Sequence, residues 1–268
     1  MQPQHYLPPG SLTPYIAFYG VLEAPEGFLE AYVSPPLAFS SFIFNIEGKS
    51  NATVNGALFT NHRYSVTGQV TGPVTGDIRG KCKSLLVFVQ PFGLHQLFGT
   101  DMSSLTNTSM SLHNLLGMAH AGRIIADIEA AADHASIINV MNEMFLAQHP
   151  VLDVAPKAKQ ALHLIHERKG NVTVKEIERV CFMSLRSLER HFKLCIGLSP
   201  KDYIKIFRFK CLMNYIREHP GITWLNLCEQ NGYYDQSHLT RYFTRYMKIR
   251  PTELVNADLE FINYLLHD

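Results

Sequence analysis

Two periodicities divide the chain. Up to about residue 110, apolar residues come in short runs bounded by Gly and Pro. Residues 37–48, LAFSSFIFNIEG, are rich in Phe and Ile and end in Gly. Residues 60–80 carry Thr and Val runs broken by Gly and Pro, and residues 84–92, SLLVFVQPF, form one continuous apolar run. Such runs predict strands, the last of them buried. Frequent turns between short strands predict a sandwich or barrel, with a cupin-like barrel among the alternatives. From about Leu112 the spacing becomes helical. Ile124, Ile125 and Ile128, then Ile137, Ile138, Met141, Met144 and Phe145, predict two helices broken near Asp133. Residues 147–156, AQHPVLDVAP, hold two prolines and read as a linker, and helical patterns dominate beyond Lys157. The expectation is an α+β chain of two domains. Residues 1–149 form a β-rich sensor or dimerisation domain with two C-terminal helices, and residues 156–268 form an all-α domain.

The all-α half contains a repeat. RSLERHFKLCIGLSP (186–200) and SHLTRYFTRYMKIRP (237–251) superimpose with a shift of 51 residues, so that Leu188 falls on Leu239, Arg190 on Arg241, Phe192 on Phe243 and Pro200 on Pro251. Leu and Phe at i and i+4 anchor a helix, and the Arg two residues after Leu points away from that stripe. Each copy follows a short amphipathic segment, residues 173–182 and 222–232. A short helix, a tight turn and a second helix with a polar outer face is the helix-turn-helix plan, in which the second helix enters the DNA major groove. Residues 233–243, YYDQSHLTRYF, carry Gln, Ser, His, Thr and Arg outside the apolar stripe. These are side chains that read base edges, whereas Glu and Lys are the usual choice for a solvated face. Between the copies, Ser199 is a good N-cap, Pro200 suits the first helical position and Asp202 the first turn, which predicts one rigid connecting helix. Such a helix would let both units reach major grooves about 34 Å apart.

Charge sharpens this picture. The whole chain is nearly neutral at +1, but residues 1–150 hold six basic against ten acidic side chains and residues 156–255 hold eighteen against nine. A window of net +9 joined to an acidic half points to a polyanionic partner for one end only. With 46% hydrophobic and 18% charged residues, the 268-residue chain has the composition of a folded protein. The five cysteines form no C-x-x-C pair and read as buried thiols of a reducing compartment. The N-terminus lacks the pattern of a signal peptide, and no apolar run approaches the ~18–20 residues of a membrane span, so the expected location is the cytoplasm and no membrane partner is expected.

Residues 232–254, GYYDQSHLTRYFTRYMKIRPTEL, closely resemble the signature of the AraC/XylS family of transcription regulators, and residues 156–255 resemble that family's tandem helix-turn-helix domain. Residues 12–23 and 85–117 are similar to the β-rich sensor domains of some members. The resemblance implies double-stranded DNA as partner. It places Arg186, Glu189 and Arg190 of the first unit at base edges, with Ser184 and Lys193 near phosphates. In the second unit it places Gln236, Ser237, Thr240 and Arg241 at base edges, with His238 and Arg245 nearer the backbone. Three departures stand out. Glu178 replaces a small residue and Phe182 a turn glycine, which predicts a distorted first unit, and Lys248 or Ile249 stands where the first copy keeps Gly197.

The expected protein is a one-component transcription regulator, controlled by a small-molecule effector or by homodimerisation through the helices at 121–148, with RNA polymerase as a further partner. Some of the aromatic residues Phe39, Phe42, Phe44, Tyr64, Phe88 and Phe92 are candidates to line an effector pocket, the rest being core. The alternative is a ligand-independent regulator whose N-terminal domain binds a protein. An enzyme is not expected, since no nucleophile motif, carboxylate pair or phosphate-binding Gly loop is present. No cofactor and no metal are expected: His163 and His166, at i and i+3, lack further ligands and read as a solvated helix face.

Overall fold

A computed structural model describes residues 2–27, 29–60, 62–148, 150–230 and 235–250. Among these, eight strands form one antiparallel sheet: β1 (Gln2–Tyr6), β2 (Ile16–Ala24), β3 (Leu29–Ser34), β4 (Ser40–Val54), β5 (Ala57–Thr60), β6 (Tyr64–Thr67), β7 (Val74–Val89) and β8 (Ser109–Ser111). The long strands β4 and β7 pair from Ser40↔Val89 to Val54↔Val74 and form the spine. One half of the sheet runs β1-β2-β7-β4-β6-β8, while β3 on β7 and β5 on β4 extend the other half. The spine is irregular where the halves meet, with register shifts between Asn45 and Glu47 and between Glu47 and Lys49. Gly48 sits there at φ +76, and a Cβ on it would lie 2.4 Å from the Lys81 carbonyl, so only glycine fits. Among the described residues no pairing joins the end strands β1 and β8 of this path.

Side-chain alternation gives the sheet two apolar faces. Phe42, Phe44, Val66, Leu85, Val87 and Val89 share a core with Leu94, Leu97, Ile124, Ile128, Ile137, Met141 and Phe145. The last seven come from α1 (Gly93–Phe98), α3 (Met118–Ala130) and α4 (His134–Leu146), with the short α2 (Leu112–Leu116) between α1 and α3. Asp133 caps α4 by accepting from the Ser136 N–H, which explains the break in the helical pattern at that point. The apolar side chains of α4 named in the sequence, Ile137, Ile138, Met141, Met144 and Phe145, are all buried in this core.

The opposite face, with Phe18, Leu22 and Phe88, belongs to a second core that continues into the C-terminal helices. These are α5 (Pro156–Glu167), α6 (Val174–Cys181), α7 (Leu185–Ile196), α8 (Pro200–Glu218), α9 (Trp224–Gln230) and α10 (Gln236–Met247). Helix α8 has Ser199 as N-cap and Pro200 at its first position, and its 19 residues span about 28 Å. It is the hub of the C-terminal half: Tyr203 meets Phe192 edge-on at 6.0 Å, and Phe209 meets Phe243 edge-on at 5.3 Å. The cysteines form no disulfide among the described residues, with Cys82, Cys181, Cys195 and Cys228 buried and Cys211 half-buried. Burial pushes the Cys195 thiol up to about 11.

One expectation is corrected here. His166 does not face solvent: it stacks on Phe207 at 4.2 Å and is hydrogen-bonded to the Tyr203 hydroxyl at 2.8 Å. Burial, then the Lys210 charge, lowers its pKa to about 4, so the ring is neutral at pH 7. His163 is exposed.

Candidate nucleic-acid interface

The first unit is regular. A capping box opens α6: the Thr173 hydroxyl accepts from the Glu176 N–H, while the Glu176 carboxylate accepts from the Thr173 N–H at 2.7 Å. The expected distortion at Glu178 and Phe182 is absent. Phe182 takes the left-handed conformation, φ +50 and ψ +46, that a turn glycine would supply, and Glu178 is half-buried without breaking α6. Ser184 caps α7 by accepting from the Ser187 N–H. Leu188, Phe192, Cys195 and Ile196 are buried, and Arg186, Glu189, Arg190 and Lys193 are exposed on the other side. The helix ends on Gly197 at φ +94.

The second unit repeats this design. Asp235, 51 residues after Ser184, caps α10 by accepting from the His238 N–H at 2.6 Å. Leu239, Phe243, Tyr246 and Met247 are buried. Lys248, at the place of Gly197, ends the helix with φ +60, so the chain turns in the same way without glycine. Gln236, Ser237, Arg241 and Arg245 are exposed, and the Arg245 guanidinium lies 5.4 Å from the centre of the Tyr246 ring. Thr240 is half-buried and donates to the Gln236 carbonyl at 2.8 Å. His238 is half-buried, edge-on to Tyr242 at 5.2 Å, and its pKa is lowered by burial and then by Arg208 and Arg241. Residues 231–234, which include Tyr233 and Tyr234 of the sequence motif, lie outside the described residues, as does the expected segment beyond 250.

The structure thus puts Arg190 and Arg241 at equivalent, exposed places on two capped helices. Among the described residues, Arg186, Arg190, Lys193 and Arg241 make no ion pair, so their charge is available to an anionic partner.

Sequence reasoning missed how the units are held. Thr106, which follows the 3-10 turn Met102–Leu105, donates from its hydroxyl to the Gly197 carbonyl at 2.6 Å. A Cβ on Gly197 would lie 2.6 Å from the Met102 carbonyl. The C-terminal end of α7 therefore sits directly on the sheet half of the chain. On α8, Lys210 is buried, and its ammonium lies 4.0 Å from the centre of the Phe39 ring. A lysine inside the apolar run FRFKCLM was the available signal.

Phe39 also borders a cavity of about 130 Å³ between the two halves of the sheet. Phe88, Leu86, Tyr32, Phe59 and Val74 supply apolar walls, and Ser41 and Thr67, whose hydroxyls are 2.7 Å apart, supply polar ones. Of the aromatic candidates, Phe39 and Phe88 line it, whereas Phe42, Phe44 and Tyr64 pack in the core beneath α3 and α4.

Residues 178–257 match the family model described as a helix-turn-helix domain, and residues 4–111 match one described as a domain of unknown function, DUF6597. No curated protein matches the chain. Among solved structures, ToxT from Vibrio cholerae bound to a methylnaphthalenyl-butenoic acid is similar over 96% of this chain and 99% of its own, with 8% identity and a TM-score of 0.50. An apo ToxT variant from Vibrio cholerae is similar over 89% of this chain and 96% of its own, with 9% identity and a TM-score of 0.48. The AraC-like transcriptional activator CuxR covers 80% of this chain and 86% of its own, with 15% identity and a TM-score of 0.34. The first of these likenesses is one of fold.

Proposed function

As a member of the AraC/XylS family of transcription regulators, this chain is, we propose, a sequence-specific DNA-binding protein with two base-reading helices and a controlling N-terminal half. The observation that carries the reading is the pair Arg190 and Arg241, exposed at equivalent places on two helices with equivalent caps and equivalent buried Leu/Phe anchors. Arg can bind guanine O6 and N7 bidentately, and Gln236 can do the same with adenine. In this reading Arg186, Glu189 and Arg190 face bases in one groove segment, and Gln236, Ser237, Thr240 and Arg241 face them in the next. Ser184, Lys193, His238 and Arg245 lie toward phosphates and fix the register.

Residues 1–149 are the controlling domain and 156–268 the DNA-binding domain. The cavity beside Phe39 suits a small apolar group with one or two hydrogen-bonding atoms. Its border touches α8 through Lys210, so a molecule seated there acts on the helix that joins the two readers. Homodimerisation through α3 and α4 and contact with RNA polymerase complete the proposal.

Fluorescence anisotropy tests it: the whole protein against DNA enriched from a random pool, and against a scrambled duplex. Salt-sensitive binding that prefers the enriched site supports the reading. Failure to enrich any sequence, with and without cell extract, turns the reading toward a regulator controlled by a protein partner.

A further inference from the structure

Beside the exposed face of α7 lies an open depression of about 580 Å³, formed where the start of α5 meets the turn between α6 and α7. Its polar lining consists of Lys157, Ser184, Ser187 and His191. Each of these can donate a hydrogen bond, and among the described residues none of the lining side chains is a carboxylate. A pocket of donors with one fixed cation and no acid selects an anion. Lys157 is anchored there, its ammonium donating to the Phe182 carbonyl at 2.9 Å, and among the described residues it makes no ion pair. Two of its three N–H groups remain for a ligand. The Phe182 ring, 82% exposed, stands on the rim.

Position decides which anion. At about 100° per residue, Ser184, Ser187 and His191 fall on one stripe of α7, adjacent to the stripe of Arg186 and Arg190. A helix seated in the major groove with Arg190 toward the bases has a DNA backbone along each flank. The depression is such a flank. We infer that it seats one backbone phosphodiester of the DNA bound by the first reader, with Lys157 and the Ser187 hydroxyl on the phosphate oxygens and the Phe182 ring against the adjoining deoxyribose. Lys157 is thereby a DNA-positioning residue contributed by α5, outside both helix-turn-helix units. The inference rests on the DNA-reading function proposed above.

The test uses the whole protein and the enriched duplex. Lys157→Gln keeps a donor for the Phe182 carbonyl but removes the charge, and Lys157→Arg keeps the charge. The expected result for Lys157→Gln is a slope of log K against log salt shallower by about 0.9, one phosphate's share. It also weakens every duplex by a similar factor, roughly tenfold, and leaves the preference for the enriched site unchanged. Lys157→Arg retains the wild-type slope. Replacing backbone phosphates one at a time by neutral methylphosphonates then finds a single position at which the wild type loses affinity and Lys157→Gln does not. An unchanged slope in Lys157→Gln, or no such position, overturns the site. Weaker binding in both variants with a lowered melting temperature and an unchanged slope also overturns it, because Lys157 then only pins the turn. A wild type that prefers no duplex removes the DNA-reading function itself, and this site with it.

Discussion

The ammonium of Lys210, on the helix that joins the two helix-turn-helix units, lies 4.0 Å from the centre of the Phe39 ring, on the rim of the sheet cavity. Lys210 is only 7% exposed, and a cation over an aromatic face gains most where water is excluded, about 2 kcal/mol. A double-mutant cycle of Lys210→Met and Phe39→Leu, followed by urea unfolding, is expected to give a coupling energy of about 1–2 kcal/mol. A coupling near zero would mean that the two side chains are neighbours without mutual stabilisation.

Arg190→Ala and Arg241→Ala are each expected to lose about 1–3 kcal/mol of discrimination between the correct and a mismatched base pair, at different positions of the site. Competition binding with a panel of single-base variants measures this. Loss at one position only would identify a single working reader.

Gly197 and Lys248 end equivalent helices in the same left-handed conformation, at φ +94 and +60, yet they should respond oppositely to substitution. Gly197→Ala adds a Cβ facing the Met102 carbonyl at 2.6 Å as well as left-handed strain, and is expected to cost about 2–4 kcal/mol. Lys248→Gly relieves strain at an exposed position and is expected to stabilise by about 1 kcal/mol or less. Denaturation midpoints measured under one condition decide both signs.

His166 sets an acid limit on stability. Its folded pKa of about 4 lies below the ordinary value near 6.5, so between those two pH values the unfolded chain binds a proton that the folded chain refuses. Stability is therefore complete above about pH 6.5 and falls as the pH drops toward 4. The expected contribution at pH 5 is a loss of about 2 kcal/mol. His166→Gln, compared with the wild type by urea unfolding at pH 7.5 and 5, should lose less stability on acidification by about that amount. Equal losses would show that His166 is protonated in the fold.

The C-terminal elements were legible because their causes are local. Leu and Phe four apart mark the buried stripe of a helix wherever it packs. Ser199 satisfies the free N–H groups of the turn it begins, and Pro200 fixes the backbone angle its position requires. The same local causes revealed the strand runs at 37–48 and 84–92 and the break near Asp133. Phe182 was misjudged because its strain is local but its compensation is not: Lys157, 25 residues earlier, holds its carbonyl.

The sequence by itself determined the periodicity, the Ser199 cap, the repeat and the basic window, and with them the buried Leu/Phe stripes of both helix-turn-helix units. Only the tertiary structure decided that His166 faces inward against Phe207 and Tyr203, that Lys210 meets Phe39, that α7 rests on Met102 and Thr106, and that Lys157 stands beside the turn before α7. The reason is distance along the chain. Helical spacing says which side chains share a face but not what packs against it, and each of those partners comes from a segment whose position the sheet and the connecting helix fix only once both cores are assembled.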